Sequence, residues 1–86
     1  MNTNTNTTEV VKANFELGYG NLPAVMQIPV KTSIMKECGW SSLVTFHNKR
    51  KGITKIRPTE VLVIEAHFKK HGINPWTGLP FFDENF

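Results

Sequence analysis

Gly39-Trp40, Gly52-Ile53 and Gly72-Ile73 share one punctuation, a glycine followed at once by a large apolar residue. A glycine just past a helix adopts the left-handed conformation that ends it, and the next apolar residue folds back onto the last turn. Each pair is therefore a helix stop, and a chain so punctuated is a string of short helices. The fold-back contacts would be Trp40 on Met35 and Ile73 on Phe68, both apolar pairs. Ile53 is offered Asn48, a polar partner.

Working back from each stop predicts three helices. The first runs over about 29–38, with Pro29 in its first turn and Val30, Ile34 and Cys38 at four-residue spacing on one face. The second runs over about 42–51 and has Ser41 or Ser42 as its N-cap. In the third, Pro58 suits the first turn and Glu60 complements the helix dipole, while Val61, Ile64, Glu65 and Phe68 form a mostly apolar stripe. Lys69, Lys70 and His71 fall in its last turn, where positive charge is favoured, and Pro75 lies just beyond the stop.

The segment before these helices is open to two readings. Val11, Ala13, Phe15, Leu17 and Tyr19 alternate with polar or small residues, the period of a half-buried strand, and a β-hairpin through Gly18 to Asn21 into Ala24 to Ile28 would follow. The strand reading is preferred, although Thr8 with Val10, Val11 and Asn14 also permits a helix capped at Thr8. Residues 1–8, MNTNTNTT, read as a disordered tail without the basic start and apolar middle of a secretory signal. Residues 9–74 form a single domain, and 75–86 an aromatic tail whose Trp76, Leu79, Phe81, Phe82 and Phe86 are too apolar to lie wholly in water. The expected fold class is mainly α, a compact helix-turn-helix domain, with the N-terminal β-hairpin as one of the two alternatives for its beginning.

At 86 residues the chain buries only about 60% of its unfolded surface, too little for a deep catalytic cleft. No apolar run approaches the ~20 residues that cross a bilayer, so no membrane partner is expected. One cysteine, Cys38, cannot form an internal disulfide, which fits a reducing compartment, cytoplasm or virion interior. Charge is more telling. Between Glu37 and Glu60 there is no acidic residue, yet Lys49, Arg50, Lys51, Lys55 and Arg57 lie there, whereas residues 73–86 carry Asp83 and Glu84 and no base. Such a positive centre can hold phosphates.

Two short helices joined by a glycine-containing turn, with a longer helix packed across both, make the frame of a helix-turn-helix DNA-binding domain. Its second helix must anchor one side in the frame and offer short hydrogen-bonding and basic groups on the other. In GWSSLVTFHNKRKG, Val44 or Phe46 can face inward, while Ser42, Thr45, His47, Asn48 and Lys49 face outward. Asn can read adenine and Lys or Arg guanine, with Arg50, Lys51, Lys55 and Arg57 placed for backbone phosphates.

The run IMKECGWSSLVTFHNKRKGITKIRPTEVLVIEAHF resembles the helix-turn-helix core of small Cro-like and lambda-repressor-like regulators. The resemblance implies that Ser42 and Thr45 open a recognition helix, that Phe46 is its inward residue, that Gly52 terminates it, and that Ile64 is a core residue of the next helix. It covers about 35 of the 86 residues. The turn, Gly-Trp-Ser, is one residue longer than the family's usual one, and the segment before Pro29 does not look like the family's first helix.

Other chemistries are weakly represented. His67 and His71 stand four apart on one helical face, but no third ligand sits at a convincing position, and Glu65 is not between them as a zinc-protease motif requires. His47-Asn48 lacks the acidic metal ligands of a nuclease centre. Trp40 is expected as a core plug and Cys38 as a small core residue. No phosphate-binding glycine loop or nucleophile motif is present, so neither an enzyme, a cofactor nor a small-molecule substrate is expected. The expected function is sequence-specific binding of double-stranded DNA in transcription regulation, by a homodimer because one short helix reads too few base pairs. The alternative is a small phage-type or host interaction protein, structural or inhibitory, that binds another protein with Trp76 and Phe82 as anchors.

Overall fold

The computed structural model describes residues 14–80; within them Gly39 and Gly52 directly follow their helices as left-handed caps, whereas Gly72 ends the turn that follows a third helix, whose last residue is Lys69. Gly39, Gly52 and Gly72 have φ of 75°, 82° and 72°. The N–H after each glycine donates to the carbonyl five residues back, Trp40 to Met35 at 2.9 Å, Ile53 to Asn48 at 2.9 Å and Ile73 to Phe68 at 3.3 Å. The glycine N–H groups donate to Lys36, Lys49 and Lys69. That pair of bonds satisfies carbonyls the helix end would otherwise leave open. The middle stop is as complete as the others although Ile53 is largely exposed, so the backbone bonds suffice without an apolar fold-back.

The described residues form four helices: α1, Glu16–Gly20; α2, Ala24–Cys38; α3, Leu43–Lys51; and α4, Pro58–Lys69. The described residues are mainly helical and contain no strand, only an isolated bridge between Ile73 and Pro80. No helix among them is long and apolar enough to cross a membrane. α3 and α4 start where the sequence places them, Ser42 capping the one and Pro58 opening the other.

The expected hairpin is corrected. Leu17 and Tyr19 belong to α1, and Ala24 to Ile28 are the opening turns of α2, which begins well before Pro29. Val11 and Ala13, like the tail 1–8, lie outside the described residues. Leu17 is exposed while Phe15 is fully buried, so the apolar alternation is not the inward face of a strand. Tyr19 instead donates its N–H to the Phe15 carbonyl at 3.0 Å, one helical turn back. Its hydroxyl donates to the Gln27 carbonyl at 3.0 Å and Gln27 Nε2 returns to the Tyr19 carbonyl at 3.3 Å, which fixes the corner between α1 and α2. Pro29 is thus inside α2, where it has no N–H for the Val25 carbonyl. Val25, Ile28 and Pro29 all lie on the exposed side, so the missing bond falls beside solvent rather than in the core.

α4 packs along α2, and their buried apolar residues are Val30 and Ile34 of α2 and Ile64 and Phe68 of α4. Phe15 is the hub of this core. Its ring meets Phe46, Phe68 and Trp76 edge-on with centroids at 5.8, 6.1 and 6.4 Å, and its N–H donates to the Arg50 carbonyl at the end of α3. The start of the expected aromatic tail is folded against the domain: Gly18 N–H donates to the Pro75 carbonyl at 3.1 Å and Trp76 Nε1 to Glu65 Oε2 at 2.9 Å. Phe81, Phe82 and Phe86 lie outside the described residues.

Two glycines separate two costs of a side chain. A Cβ at Gly39 meets nothing within 4 Å, so Gly39→Ala should lose only the left-handed backbone preference, about 1 kcal/mol. A Cβ at Gly18 would stand 2.4 Å from Pro75 Cα, which forces α1 and the 73–80 segment apart. Gly18→Ala should therefore lower the thermal midpoint clearly more than Gly39→Ala. Equal losses would show that the contact between α1 and Pro75 is dispensable.

Candidate nucleic-acid interface

α3 is built around one inward residue. Phe46 is 2% exposed and packs on Phe15, Tyr19 and Trp40, so the helix can rotate little. Ser42 caps the helix, its Oγ accepting the Thr45 N–H at 3.1 Å and lying 3.1 Å from Thr45 Oγ1. With Phe46 inward, the i, i+3, i+4, i+7 row Val44, His47, Asn48, Lys51 faces away from the core. Val44, not Phe46, is thus the exposed member of the two expected inward candidates.

The expected site residues separate into three groups. Ser42, His47, Lys51, Lys55 and Arg57 are exposed, and Thr45 and Asn48 are half-buried on the same side. Arg50 is half-buried: its Nε donates to Glu16 Oε1 at 3.0 Å and its guanidinium lies over the rings of Tyr19 and Phe46 at 5.2 and 5.7 Å. Arg50 Nη2 is also 3.2 Å from His47 Nδ1. Because arginine can only donate, His47 Nδ1 accepts and its Nε2 carries the ring N–H.

Lys49 is the correction. It was expected outward, but it is 7% exposed, because it follows Phe46 by three residues and shares its buried side. Its Nζ donates to Glu60 Oε1 and to the Lys55 carbonyl, both at 2.8 Å, and sits 5.6 Å from the Trp40 ring centre. Glu60 is buried too. Its Oε1 also accepts the Arg57 N–H at 2.9 Å, capping α4, and its Oε2 accepts Trp40 Nε1 at 2.9 Å. Burial pushes the Glu60 carboxyl up, but the hydrogen bonds from Lys49, the Arg57 backbone and Trp40 outweigh it and hold the group below the ordinary glutamate range. No sequence motif announces this cluster; the signal available was Glu60 as the first carboxylate after an all-basic interval, at the N3 position of a helix.

With Lys49 and Arg50 committed to carboxylates, the basic surface of this region is Lys51, Lys55 and Arg57 beside His47, and Glu60 is turned inward. Elsewhere, His67 Nε2 lies 2.8 Å from Glu37 Oε2, and no group of three or more potential metal ligands occurs among the described residues. Cys38 is half-buried; burial and the nearby carboxylates of Glu60 and Glu37 push its thiol up to about 11, so it stays protonated near neutrality. Glu37, Cys38, Arg57, Thr59, Glu60 and Val63 line a cavity of about 130 Å³, smaller than the ~300–1,000 Å³ usual for small-molecule sites.

No family model, no curated protein and no solved structure matches this chain.

A buried pair that loses one member leaves an uncompensated charge, so Glu60→Gln should cost about 3–5 kcal/mol. Since the folded carboxyl titrates below its unfolded value, its contribution is present above the unfolded glutamate pKa and is lost as pH falls through the lower folded one. The stability gap between wild type and Glu60→Gln, from denaturant unfolding, should therefore be widest near neutrality and narrow in acid. A gap constant from neutral to strongly acidic pH would show that the carboxylate does not support the fold as an ion.

Proposed function

We propose that the protein is a small sequence-specific DNA-binding protein acting in transcription regulation, with α2, the Gly39–Ser42 turn and α3 used as a helix-turn-helix and α3 entering the major groove. The supporting observation is the outward side of α3 and the loop after it: hydrogen-bonding groups of Ser42, Thr45, His47 and Asn48 run into exposed Lys51, Lys55 and Arg57, with no carboxylate between Glu37 and the inward-facing Glu60. The exposed carboxylate nearest this face that an ion pair records, Glu16, is paired with Arg50.

In this proposal the His47 Nε2–H and the Asn48 side-chain amide meet base edges, and Lys51, Lys55 and Arg57 meet phosphates. Arg50 and Lys49 act from behind as positioning residues, holding α3 to α1 and α4. A helix of nine residues reads only a few base pairs, so two copies binding as a homodimer on adjacent half-sites would supply the discrimination. Such a regulator would work in the cytoplasm, or in a virion if phage-borne. The competing protein-binding role loses support at Trp76, which is held by Glu65 and Phe15 within the fold.

A titration against mixed duplex fragments, at low and moderate salt with unrelated competitor DNA, tests the proposal. Retention of particular fragments should weaken steeply with salt. Lys51→Ala should weaken binding to every fragment and reduce the salt slope by about 1, and Asn48→Ala should relax preference at one base position by about 1–3 kcal/mol. If both variants bind all DNA as wild type does, α3 is not the reading helix; if wild type retains no fragment at low salt, the function is wrong.

A further inference from the structure

At the outward pole of α3 stands an aliphatic side chain. Val44 is 68% exposed, and Leu43 beside it 62%, at the first two positions of the helix. Neither serves the core, which α3 reaches through Phe46, and valine is a weaker helix former than alanine at a surface position. The surrounding groups narrow what could cover them. One turn on from Val44 are His47 and Asn48, two turns on is Lys51, and the following loop carries Lys55 and Arg57. An apolar spot framed by cations and amide or imidazole donors is complementary to a polyanion that carries an apolar group between its charges. In the major groove only one base presents such a group, thymine through its C5 methyl.

We infer that Val44, with Leu43 adjoining it, is a specificity-determining residue that contacts the C5 methyl of a thymine in the recognised site. The inference rests on the DNA-binding function proposed above. It assigns Val44 to a part of the base pair that the donors of His47 and Asn48 do not address. Base choice at that position then comes from apolar contact, and phosphate attraction comes from Lys51, Lys55 and Arg57.

Replacing deoxythymidine by deoxyuridine removes the methyl and leaves the Watson–Crick edge in place. A duplex retained by the wild-type protein is therefore remade with deoxyuridine throughout, and both forms are titrated with wild type and with Val44→Ala. Val44 is exposed and alanine favours helices, so the variant should fold, which thermal unfolding checks. Wild type should bind the thymine duplex about fourfold more tightly per contacted methyl. In Val44→Ala that ratio should fall towards one while the salt dependence of binding stays as in wild type. Equal wild-type affinity for the two duplexes, with salt-dependent binding intact, overturns the methyl contact and leaves DNA binding standing. A ratio undiminished in Val44→Ala overturns the assignment to this residue. Failure of wild type to retain any duplex overturns the inference together with the function it rests on.

Discussion

Lys49 and Glu60 face each other inside the domain, and much of the rest depends on that pair. Each is 7% exposed, and each would be strongly disfavoured there alone. Together they answer every demand in reach: the ammonium has a carboxylate and the Lys55 carbonyl, and the carboxylate has Lys49, the Trp40 indole and the Arg57 N–H. Among the described residues no buried side-chain nitrogen or oxygen lacks a partner. Through this cluster the turn after α2, the body of α3, the loop after it and the first turn of α4 are held in one arrangement. Greasy side chains of the same size could fill the space, and ion pairs of this kind are not efficient stabilisers. What hydrogen bonds add is direction, since a carboxylate with donors on both oxygens sets the rotation of α3 about Phe46.

That rotation decides which charges face outward. Taken as a string, residues 49 to 57 carry five basic side chains and no acidic one. Folded, the run divides: Lys49 turns in to Glu60, Arg50 lies over Tyr19 and Phe46 and reaches Glu16, and Lys51, Lys55 and Arg57 remain at the surface. The two cations nearest the core hold the helix, and the more distant ones are exposed to whatever the surface binds. Phe15 supports the same geometry from the other side, since its N–H bonds the last turn of α3 while its ring fills the space between Phe46, Phe68 and Trp76.

Where local chemistry alone determines a feature, it was legible. The three helix stops are legible because a left-handed residue flanked by L-amino acids is a glycine, and the bonds that close each end involve only residues a turn apart. Ser42 and Pro58 mark helix starts for the same reason. The start of α2 was not legible, because Pro29 suits a first turn and nothing nearby says that a helix already runs through it. Phe15, Leu17 and Tyr19 misled for a related reason: alternation over so few residues fits a strand or a short helix, and contacts with Gln27 in the next helix and with Arg50 far along the chain accompany the helix.

The sequence by itself determined that this protein is a set of short helices with fixed ends and a basic middle, because caps, stops and net charge are properties of neighbouring residues. Only the tertiary structure decided where α1 and α2 begin, that Trp76 is held within the domain, and which basic side chains reach the surface. Those outcomes depend on partners distant in the chain, Glu60 for Lys49, Glu16 for Arg50 and Glu65 for Trp76. A lysine's identity states its charge, but whether that charge is buried or exposed depends on the carboxylate that folding brings to it.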